Sequence, residues 1–320
     1  MCETKQERIL ANMGVFERAR RALRLKTAPA PVEMAPAGVG LALGGGFARG
    51  FAHLGVIQVL EESGVKVTHL AGSSIGSLLG AAYAAGEPVE RIAAEGRRIR
   101  FRDFGRWTLS RLGLASNERL GELVRRSFPV QTFEELKIPT AVVATDLGTG
   151  EPFVITSGRL DEAIRASCAF PGLFEPVQAG ERWLADGGLV APVPAQAARE
   201  LGAGLVIGVS VGFNLWNGDA PTNLFQVVNR AVSAAQKNQG AAWRGYADLV
   251  IEPEVHGIDW DHFHRVDEAV AAGAAAMRAA LPRLTELLSK ATAGRGGNGR
   301  ATDSLASRAS QEKPDAQGAA

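Results

Sequence analysis

The residues best suited to chemistry lie in a G-x-S-x-G pentapeptide at positions 72–76, whose central residue is Ser74. An apolar, strand-like segment precedes it, and small and apolar residues in a helical pattern follow it. A strand, a sharp turn and a helix in that order form a nucleophile elbow, which exposes the serine hydroxyl at the carboxyl end of the strand. Gly72 and Gly76 leave room for the turn, and the following helix N-terminus favours negative charge. The pattern therefore predicts that Ser74 is a nucleophile.

A second candidate is the glycine-rich turn G-G-G-F-A-R-G at 44–50, which follows a short apolar segment and precedes a helical one. Backbone N–H groups in such a turn can bind a phosphate or the oxyanion of a tetrahedral acyl intermediate. The spacing does not fit a dinucleotide fingerprint, and no P-loop motif is present. With a serine elbow downstream, we interpret the turn as an oxyanion hole and leave open whether Arg49 braces it or meets an anionic substrate. The expected N–H donors are those of Gly45 and Gly46, with Phe47 as a further one.

The serine needs a base, and the usual chain order would be serine, acid and then histidine. The later histidines all lie in a polar stretch that opens the last helix, where surface or structural roles are expected. The competing base is Asp186, which is followed by Gly187 and Gly188 and so has room to approach another loop closely. A free aspartate has a pKa of about 4, and burial beside the serine would raise it. The histidines set aside by this interpretation are His256, His262 and His264.

The elements that must position these groups alternate along the chain. Short apolar segments separated by helical patterns predict an α/β fold with a mostly parallel sheet, and ligands then lie at the carboxyl ends of its strands. Residues 87–127 are expected to be largely helical. The other expected strands are 39–43, 65–71, 140–146, 153–156, 205–210 and 249–252, and the other expected helices are 52–62, 78–85, 222–243 and 264–289.

Composition excludes several classes of protein. The chain has 320 residues, 46% of them hydrophobic, and a formal net charge of +1, which favours a globular protein with no nucleic-acid partner. Two cysteines are too few for a disulfide framework or a zinc site. No signal peptide or membrane-spanning run is evident, so a cytoplasmic protein is expected. Three parts are predicted: a basic amphipathic arm with a Pro/Ala linker at 1–37, a body at 38–290 and a disordered tail at 291–320.

The order of the three motifs, G-G-G-x-x-R-G, G-x-S-x-G and D-G-G, resembles the patatin-like phospholipase family. The similarity covers roughly 38–290, including the segments 144–151 and 163–172, and lies in the bacterial branch that also resembles the catalytic domain of neuropathy target esterase. It implies a three-layer α/β/α fold and a Ser–Asp dyad, with no histidine, metal or cofactor. By position, Ser74 would be the nucleophile, Asp186 the base and the amides of the Gly44–Gly46 turn the oxyanion hole. Supporting motif residues would be Arg49, Gly50, Gly72, Gly76, Gly187 and Gly188.

One residue departs from the family pattern. Phe47 stands where several relatives have glycine or another small residue. A phenylalanine still supplies an N–H group, but its ring would narrow the entrance for an acyl group. Phe170, Pro171, Phe174 and Trp183 either line an acyl pocket or belong to the core.

The resemblance implies a serine lipid acyl hydrolase that cleaves fatty-acyl esters of phospholipids or lysophospholipids through an acyl-enzyme. Two alternatives remain open. One is a thioesterase or acyltransferase that uses the same dyad; the other is a regulatory protein that keeps the fold and does little catalysis.

The expected partner is a lipid or fatty-acyl ester, and two segments suggest contact with a membrane surface. In Arg97–Trp107, five arginines interleave with apolar and aromatic residues, a composition that suits anionic headgroups. The arm at 1–37 carries a similar basic, amphipathic pattern. In each case the alternative is a helix that packs on the body and keeps its charged face in water. The sequence predicts no oligomeric state.

Overall fold

The computed structural model describes residues 38–108, 110–212 and 220–306. The predicted arm at 1–37 lies outside the described residues, so its role stays a prediction. The chain divides into two compact units, with the boundary between Ala279 and Ala280. Ser74, Asp186 and the cavities beside them lie within the first unit. Among the described residues, no helix is both long enough and apolar enough to cross a membrane.

One sheet forms the centre of the fold. Five strands pair in parallel in the order β10-β9-β1-β2-β5, and β6, β7 and β8 add antiparallel pairs beyond them. Strands β3 and β4 form a separate antiparallel hairpin. The expectation of a mostly parallel sheet is confirmed. The strands are β1 (Val39–Leu43), β2 (Val67–Ser73), β3 (Arg106–Trp107), β4 (Ala115–Ser116), β5 (Thr140–Asp146), β6 (Pro152–Ile155), β7 (Val177–Ala179), β8 (Arg182–Asp186), β9 (Leu205–Val209) and β10 (Leu249–Ile251).

The helices follow the predicted alternation, with two differences. Within 87–127 the hairpin β3–β4 interrupts the helices; it follows Gly105, where a Cβ would lie 2.6 Å from the ring of Phe174. The last helix continues beyond the end expected near 289, so the predicted tail begins inside a helical segment. The helices are α1 (Ala52–Glu62), α2 (Ile75–Ala84), α3 (Val89–Arg98), α4 (Phe101–Phe104), α5 (Glu118–Ser127), α6 (Leu160–Ser167), α7 (Ala195–Glu200), α8 (Leu224–Arg244) and α9 (Val266–Ala306).

Helices cover both faces of the sheet, as the side chains of β1 show. Gly40 faces Ala198 of α7, whereas Leu43, three residues along the strand, faces Gly80 of α2. Because successive residues of a strand point to opposite faces, α7 and α2 lie on opposite sides. All residues of β1 are buried, as expected for a strand covered twice. The fold is a three-layer α/β/α sandwich.

The register along β5 brings two strand ends together. β6 pairs with residues 142–145 along one edge of β5. β2 pairs with residues 140–143 and β8 with residues 144–146, so each of them pairs with positions that β6 also uses. Both β2 and β8 must therefore lie along the other edge of β5. β2 runs parallel to β5 and β8 runs antiparallel, so the two strands approach each other end to end. Ser73 ends β2 opposite Val143, and Asp186 ends β8 opposite the next residue, Ala144. The sheet therefore places the residue after Ser73 beside Asp186.

Candidate active site

Ser74 lies at the turn between β2 and α2 in a conformation that is uncommon for a side-chain-bearing residue. Its φ is 51° and its ψ is −128°, which is typical of strained turns at functional sites. The turn is tight because α2 begins directly against β1: a Cβ at Gly76 would lie 2.2 Å from the carbonyl oxygen of Leu43. The Ser74 N–H donates to Ser167 Oγ at 2.9 Å, and the Ser167 hydroxyl donates to the Val143 carbonyl at 2.6 Å. Ser167 thus fixes the turn, a role that no local sequence signal indicated.

The hydroxyl of Ser74 donates to Asp186 Oδ2 at 2.6 Å. Both side chains are buried, with exposed fractions of 9% for Ser74 and 4% for Asp186. The other carboxylate oxygen, Oδ1, accepts from the Gly188 N–H at 2.8 Å. The Asp186 backbone is held as well, since its carbonyl accepts from Thr145 Oγ1 at 2.7 Å. The structure brings the two residues of the predicted dyad together in hydrogen-bonding geometry.

Glycine after Asp186 is required by close packing. A Cβ at Gly187 would lie 1.9 Å from the Val143 carbonyl oxygen, so no larger residue fits without moving β5 or β8. The Gly188 carbonyl accepts from the side-chain amide of Gln236 in α8, a buried partner that sequence analysis did not identify.

Burial raises the pKa of Asp186 to about 6, and the hydrogen bonds from Ser74 and Gly188 offset part of that rise. Desolvation disfavours the charged carboxylate, whereas donors that point at it favour the charge. The carboxylate is therefore more basic than a free aspartate, yet still ionised at neutral pH. A group of this kind can accept the serine proton in a transition state.

The glycine turn lies against the nucleophile, but its N–H groups are used differently from what the sequence predicts. A Cβ at Gly45 would lie 3.3 Å from Ser74 Cβ, so the turn and the serine are neighbours. The N–H groups of Gly44 and Gly45, both expected as oxyanion donors, already have backbone acceptors in this structure. Gly44 N–H continues the β1–β9 ladder to the Val209 carbonyl at 3.1 Å, and Gly45 N–H donates to the Pro192 carbonyl at 3.2 Å.

The N–H groups of Gly46 and Phe47 remain available for an oxyanion. Phe47 begins a 3₁₀ helix, Phe47–Phe51, in which the first N–H groups have no intrahelical acceptor. No described residue accepts a hydrogen bond from the N–H of Gly46 or Phe47. These two groups are the candidate oxyanion donors.

Two buried side chains hold the carbonyl groups of the turn. His53 Nε2 lies 2.8 Å from the Gly44 carbonyl oxygen and therefore carries the proton, and burial lowers the pKa of His53 to about 4, so the ring is neutral. Arg49 Nε donates to the Gly46 carbonyl at 3.4 Å, and burial lowers the pKa of Arg49 to about 10. Because a trans peptide is planar, holding the Gly46 carbonyl directs the Phe47 N–H the opposite way. Of the two roles left open for Arg49, the structure favours bracing the turn.

Residues 41–199 match the family model described as patatin-like phospholipase. The chain belongs to the patatin-like phospholipase family. An uncharacterized NTE family protein of Mycobacterium tuberculosis is 39% identical over 191 residues, which cover 57% of this chain and 53% of the relative. A second from the same organism is 32% identical over 276 residues, covering 78% of this chain and 47% of the relative.

More distant similarities extend to other organisms. Mouse patatin-like phospholipase domain-containing protein 6 is 33% identical over 187 residues, covering 54% of this chain and 13% of that protein. The crystal structure of VipD from Legionella pneumophila superposes with a TM-score of 0.47 at 15% identity, covering 83% of this chain and 73% of VipD. The chain spans about half the length of the mycobacterial relatives it matches.

Phe47, the departure from the patatin-like pattern, adopts a φ of 51°. Positive φ is uncommon for a residue with a bulky side chain. Its ring packs edge-on against three others, with centroid distances of 5.3 Å to Phe170, 6.2 Å to Phe225 and 5.7 Å to Trp260. This aromatic cluster ties the turn to α8 and to the loop before α9, and it accounts for how the unusual backbone conformation is maintained.

A small apolar cavity of about 40 Å³ adjoins the serine. Ser74, Phe47 and Phe174 line it together with residues of α2 and α5. That the Phe47 ring narrows the entrance for an acyl group stays a prediction. Trp183 is 42% exposed and lies outside this lining. Cys168 also lines the cavity, and burial raises the pKa of its thiol, which keeps it protonated and apolar in character.

Two of the late histidines lie beside carboxylates other than Asp186. His256 lies 3.1 Å from Glu254, and His262 lies 3.4 Å from Asp259. The side chain of Asp186 is bonded to Ser74 and Gly188 instead. Their expected surface or structural role is consistent with these contacts.

Proposed function

We propose that this protein is a serine lipid acyl hydrolase that cleaves fatty-acyl esters of phospholipids or lysophospholipids through a Ser74–Asp186 dyad. The observation that carries the proposal is the 2.6 Å hydrogen bond from Ser74 Oγ to a buried carboxylate whose pKa is raised to about 6. Membership of the patatin-like phospholipase family supports the lipid substrate class.

In the first half-reaction, Ser74 Oγ attacks the ester carbonyl carbon while its proton passes to Asp186 Oδ2. The carbonyl electron pair moves to the oxygen, and the resulting oxyanion accepts from the N–H groups of Gly46 and Phe47. The intermediate then collapses, the ester C–O bond breaks, and the departing alcohol oxygen takes the proton from Asp186. The product of this step is an acyl-enzyme on Ser74.

In the second half-reaction, water takes the place of Ser74 as the nucleophile, and Ser74 becomes the leaving group. A water molecule gives a proton to Asp186 as its oxygen attacks the acyl carbon, and a second oxyanion forms in the same place. Collapse expels Ser74 Oγ, which regains its proton from Asp186, and the fatty acid leaves. One carboxylate with a raised pKa thus serves as base and then as acid in each half-reaction.

A fluorophosphonate probe tests this proposal because it attaches only to an activated serine. We expect stoichiometric labelling of the folded wild-type protein, with the adduct found by mass spectrometry on the peptide that contains Ser74. We also expect release of free fatty acid from lysophospholipid micelles or phospholipid vesicles. A folded protein that neither reacts with the probe nor releases fatty acid in the presence of micelles would contradict the proposal and favour the regulatory alternative.

We further propose that the protein meets lipid at the rim of the cavity, through the β3–β4 hairpin. The sequence indicated Arg97–Trp107, but Arg97 is bonded to Asp267 at 2.6 Å and Arg98 to Glu95 at 3.1 Å. The exposed apolar side chains lie further along, with Trp107 67% exposed and Leu112 57% exposed. Arg106 and Arg111 are exposed on the same hairpin and suit anionic headgroups.

The hairpin lies close to the candidate active site. Ala115 of β4 forms a bridge with Phe174, which lines the cavity beside Ser74. Lipid held at the hairpin would therefore be near the cavity entrance.

Vesicle co-sedimentation tests this surface. We expect Trp107→Ser combined with Leu112→Ser to reduce binding to vesicles of phosphatidylcholine and phosphatidylglycerol by about tenfold or more, since each side chain contributes roughly 1.5–3 kcal/mol when buried. The matched control is Leu147→Ser, which removes an exposed leucine from another part of the fold. Equal binding by the hairpin variant and the control would rule out the hairpin as the contact.

A further inference from the structure

A second cavity lies beyond the one at the serine. Its volume is about 320 Å³, and it lies between α2, α3 and α5. Its floor is apolar and includes Leu79 and Ala82 of α2, Ile92 of α3 and Leu123 of α5. The proposed acyl-transfer mechanism uses none of these side chains.

The two cavities share one face of helix α2. Ile75, Leu78, Leu79 and Ala82 recur at the spacing of a single helix face. Ile75 and Leu78 line the cavity at Ser74, and Leu78, Leu79 and Ala82 line the second one. Leu78 is common to the linings of both cavities.

Helix α5 repeats this arrangement. Leu120 lines the cavity at Ser74, and Leu123, one turn later, lines the second cavity. Helices α2 and α5 therefore each contribute side chains to both cavities, so the two cavities are neighbours along the same pair of helices.

The volumes of the two cavities differ in how well each could hold a bound acyl chain. The cavity at Ser74, about 40 Å³, is far smaller than the ~300–1,000 Å³ usual for a bound organic ligand. The second cavity, about 320 Å³, falls within that range, but neither Ser74 nor Asp186 lines it. An acyl group attached to Ser74 would have to extend past Leu78 to bury more than its first few carbons.

We infer that the second cavity holds the distal part of the substrate's acyl chain, with Leu78 as the partition between the two cavities that the chain displaces and Ala82 near the far end. This assignment rests on the proposed function and adds a binding site that sets acyl-chain length. Ala82 lies eight residues from Ser74, a distance of ~12 Å along the helix. Beyond it, the lining becomes charged: Arg91 pairs with Glu87 at 3.1 Å, so the apolar lining ends there.

The test is the ratio of kcat/KM for p-nitrophenyl palmitate to that for p-nitrophenyl butyrate. Ala82→Phe places a ring in the second cavity and should lower this ratio by about tenfold or more, since each methylene displaced from an apolar site costs about fourfold. Ala82→Leu adds less volume and should give an intermediate ratio. Leu78→Ala, which opens the partition, should raise the ratio.

The matched control is Ala94→Phe, the same change at a half-buried alanine of α3 that does not line the cavity. It should keep the wild-type ratio. A folded, probe-labelled Ala82→Leu or Ala82→Phe enzyme with the wild-type ratio would overturn the inference alone. A wild-type protein that hydrolyses neither ester and is not labelled would overturn the proposed function, and the inference with it.

Discussion

Replacing Asp186 with asparagine is expected to lower kcat/KM on every ester substrate by about 10³-fold, because general-base catalysis contributes typically 10²–10⁴. Asparagine has nearly the same shape and can keep an acceptor for the Gly188 N–H, but it cannot take the proton from Ser74. The comparison is made at saturating and limiting concentrations of a soluble ester, so that kcat and KM are separated. The loss should appear in kcat.

The same substitution is expected to stabilise the folded protein above pH 6. Burial raises the pKa of Asp186 to about 6 in the folded protein, whereas the unfolded chain has a value of about 4. A group with a raised folded pKa contributes stability below its unfolded pKa and loses that contribution as the pH rises through its folded pKa. Once Asp186 is ionised in both the folded and the unfolded protein, its burial lowers the free energy of unfolding by about 3 kcal/mol. Asparagine carries no charge and does not incur this cost.

Urea unfolding of the wild type and the variant at pH 4 and pH 8 measures this effect. The difference in unfolding free energy between the two proteins should be large at pH 8 and small at pH 4. His53 acts in the opposite direction, since burial lowers its pKa to about 4 and acid therefore destabilises the fold. Because both proteins contain His53, its contribution cancels in the comparison.

Asp146→Asn is the matched control, since Asp146 ends β5 as Asp186 ends β8. The Gly148 N–H and Arg182 hold the pKa of Asp146 below its usual range, so its ionised form is the favoured one. This variant should lose stability at pH 8 and keep its turnover.

An Asp186→Asn protein that retained wild-type turnover would exclude the carboxylate as the base. A wild-type kcat/KM that did not rise with pH through about 6 would point to the same conclusion.

The strands and the elbow could be predicted because their signals are local. The predicted strands at 39–43 and 140–146 coincide with β1 and β5, and the α1 helix coincides with the predicted 52–62. Each of these segments has a continuous apolar or amphipathic pattern bounded by glycine or polar residues. Tertiary contacts do not change the secondary structure that this pattern predicts. The β3–β4 hairpin had no such pattern, because its two-residue strands depend on contacts with the Leu173–Glu175 segment.

The pairing of Ser74 with Asp186 could not be predicted from local pattern, and only the order of the three motifs suggested it. The two residues are 112 positions apart in the chain and meet because β2 and β8 share one edge of β5. The backbone hydrogen bonds of the glycine turn were hidden from the sequence for a similar reason. Gly44 and Gly45 look free in sequence, but their N–H groups meet carbonyls of Val209 and Pro192, which are distant in the chain.

The revised assignment of the oxyanion donors makes the second large prediction, at Gly46. A Cβ there would lie 2.3 Å from Val211 Cγ2, so Gly46→Ala must displace either the turn or Val211. Displacing the turn moves the N–H groups of Gly46 and Phe47, and loss of one oxyanion donor costs about 10²–10³ in kcat. We expect kcat to fall by about 10²-fold with KM nearly unchanged.

Removing the colliding methyl group distinguishes displacement from any other effect of the new side chain. Val211→Ala takes away Cγ2, so Gly46→Ala combined with Val211→Ala should recover at least about tenfold of the lost kcat, a clear coupling in a double-mutant cycle. Gly245→Ala is the control, because a Cβ there meets nothing nearer than the Ala242 carbonyl at 3.4 Å. Wild-type kcat in Gly46→Ala would mean that the turn does not hold the oxyanion. A double variant as slow as Gly46→Ala would mean that the glycine is needed for something other than the space beside Val211. If kcat is low in Gly46→Ala and recovers when Val211→Ala is added, the rate of the chemical step depends on the position of the Gly46–Phe47 peptide.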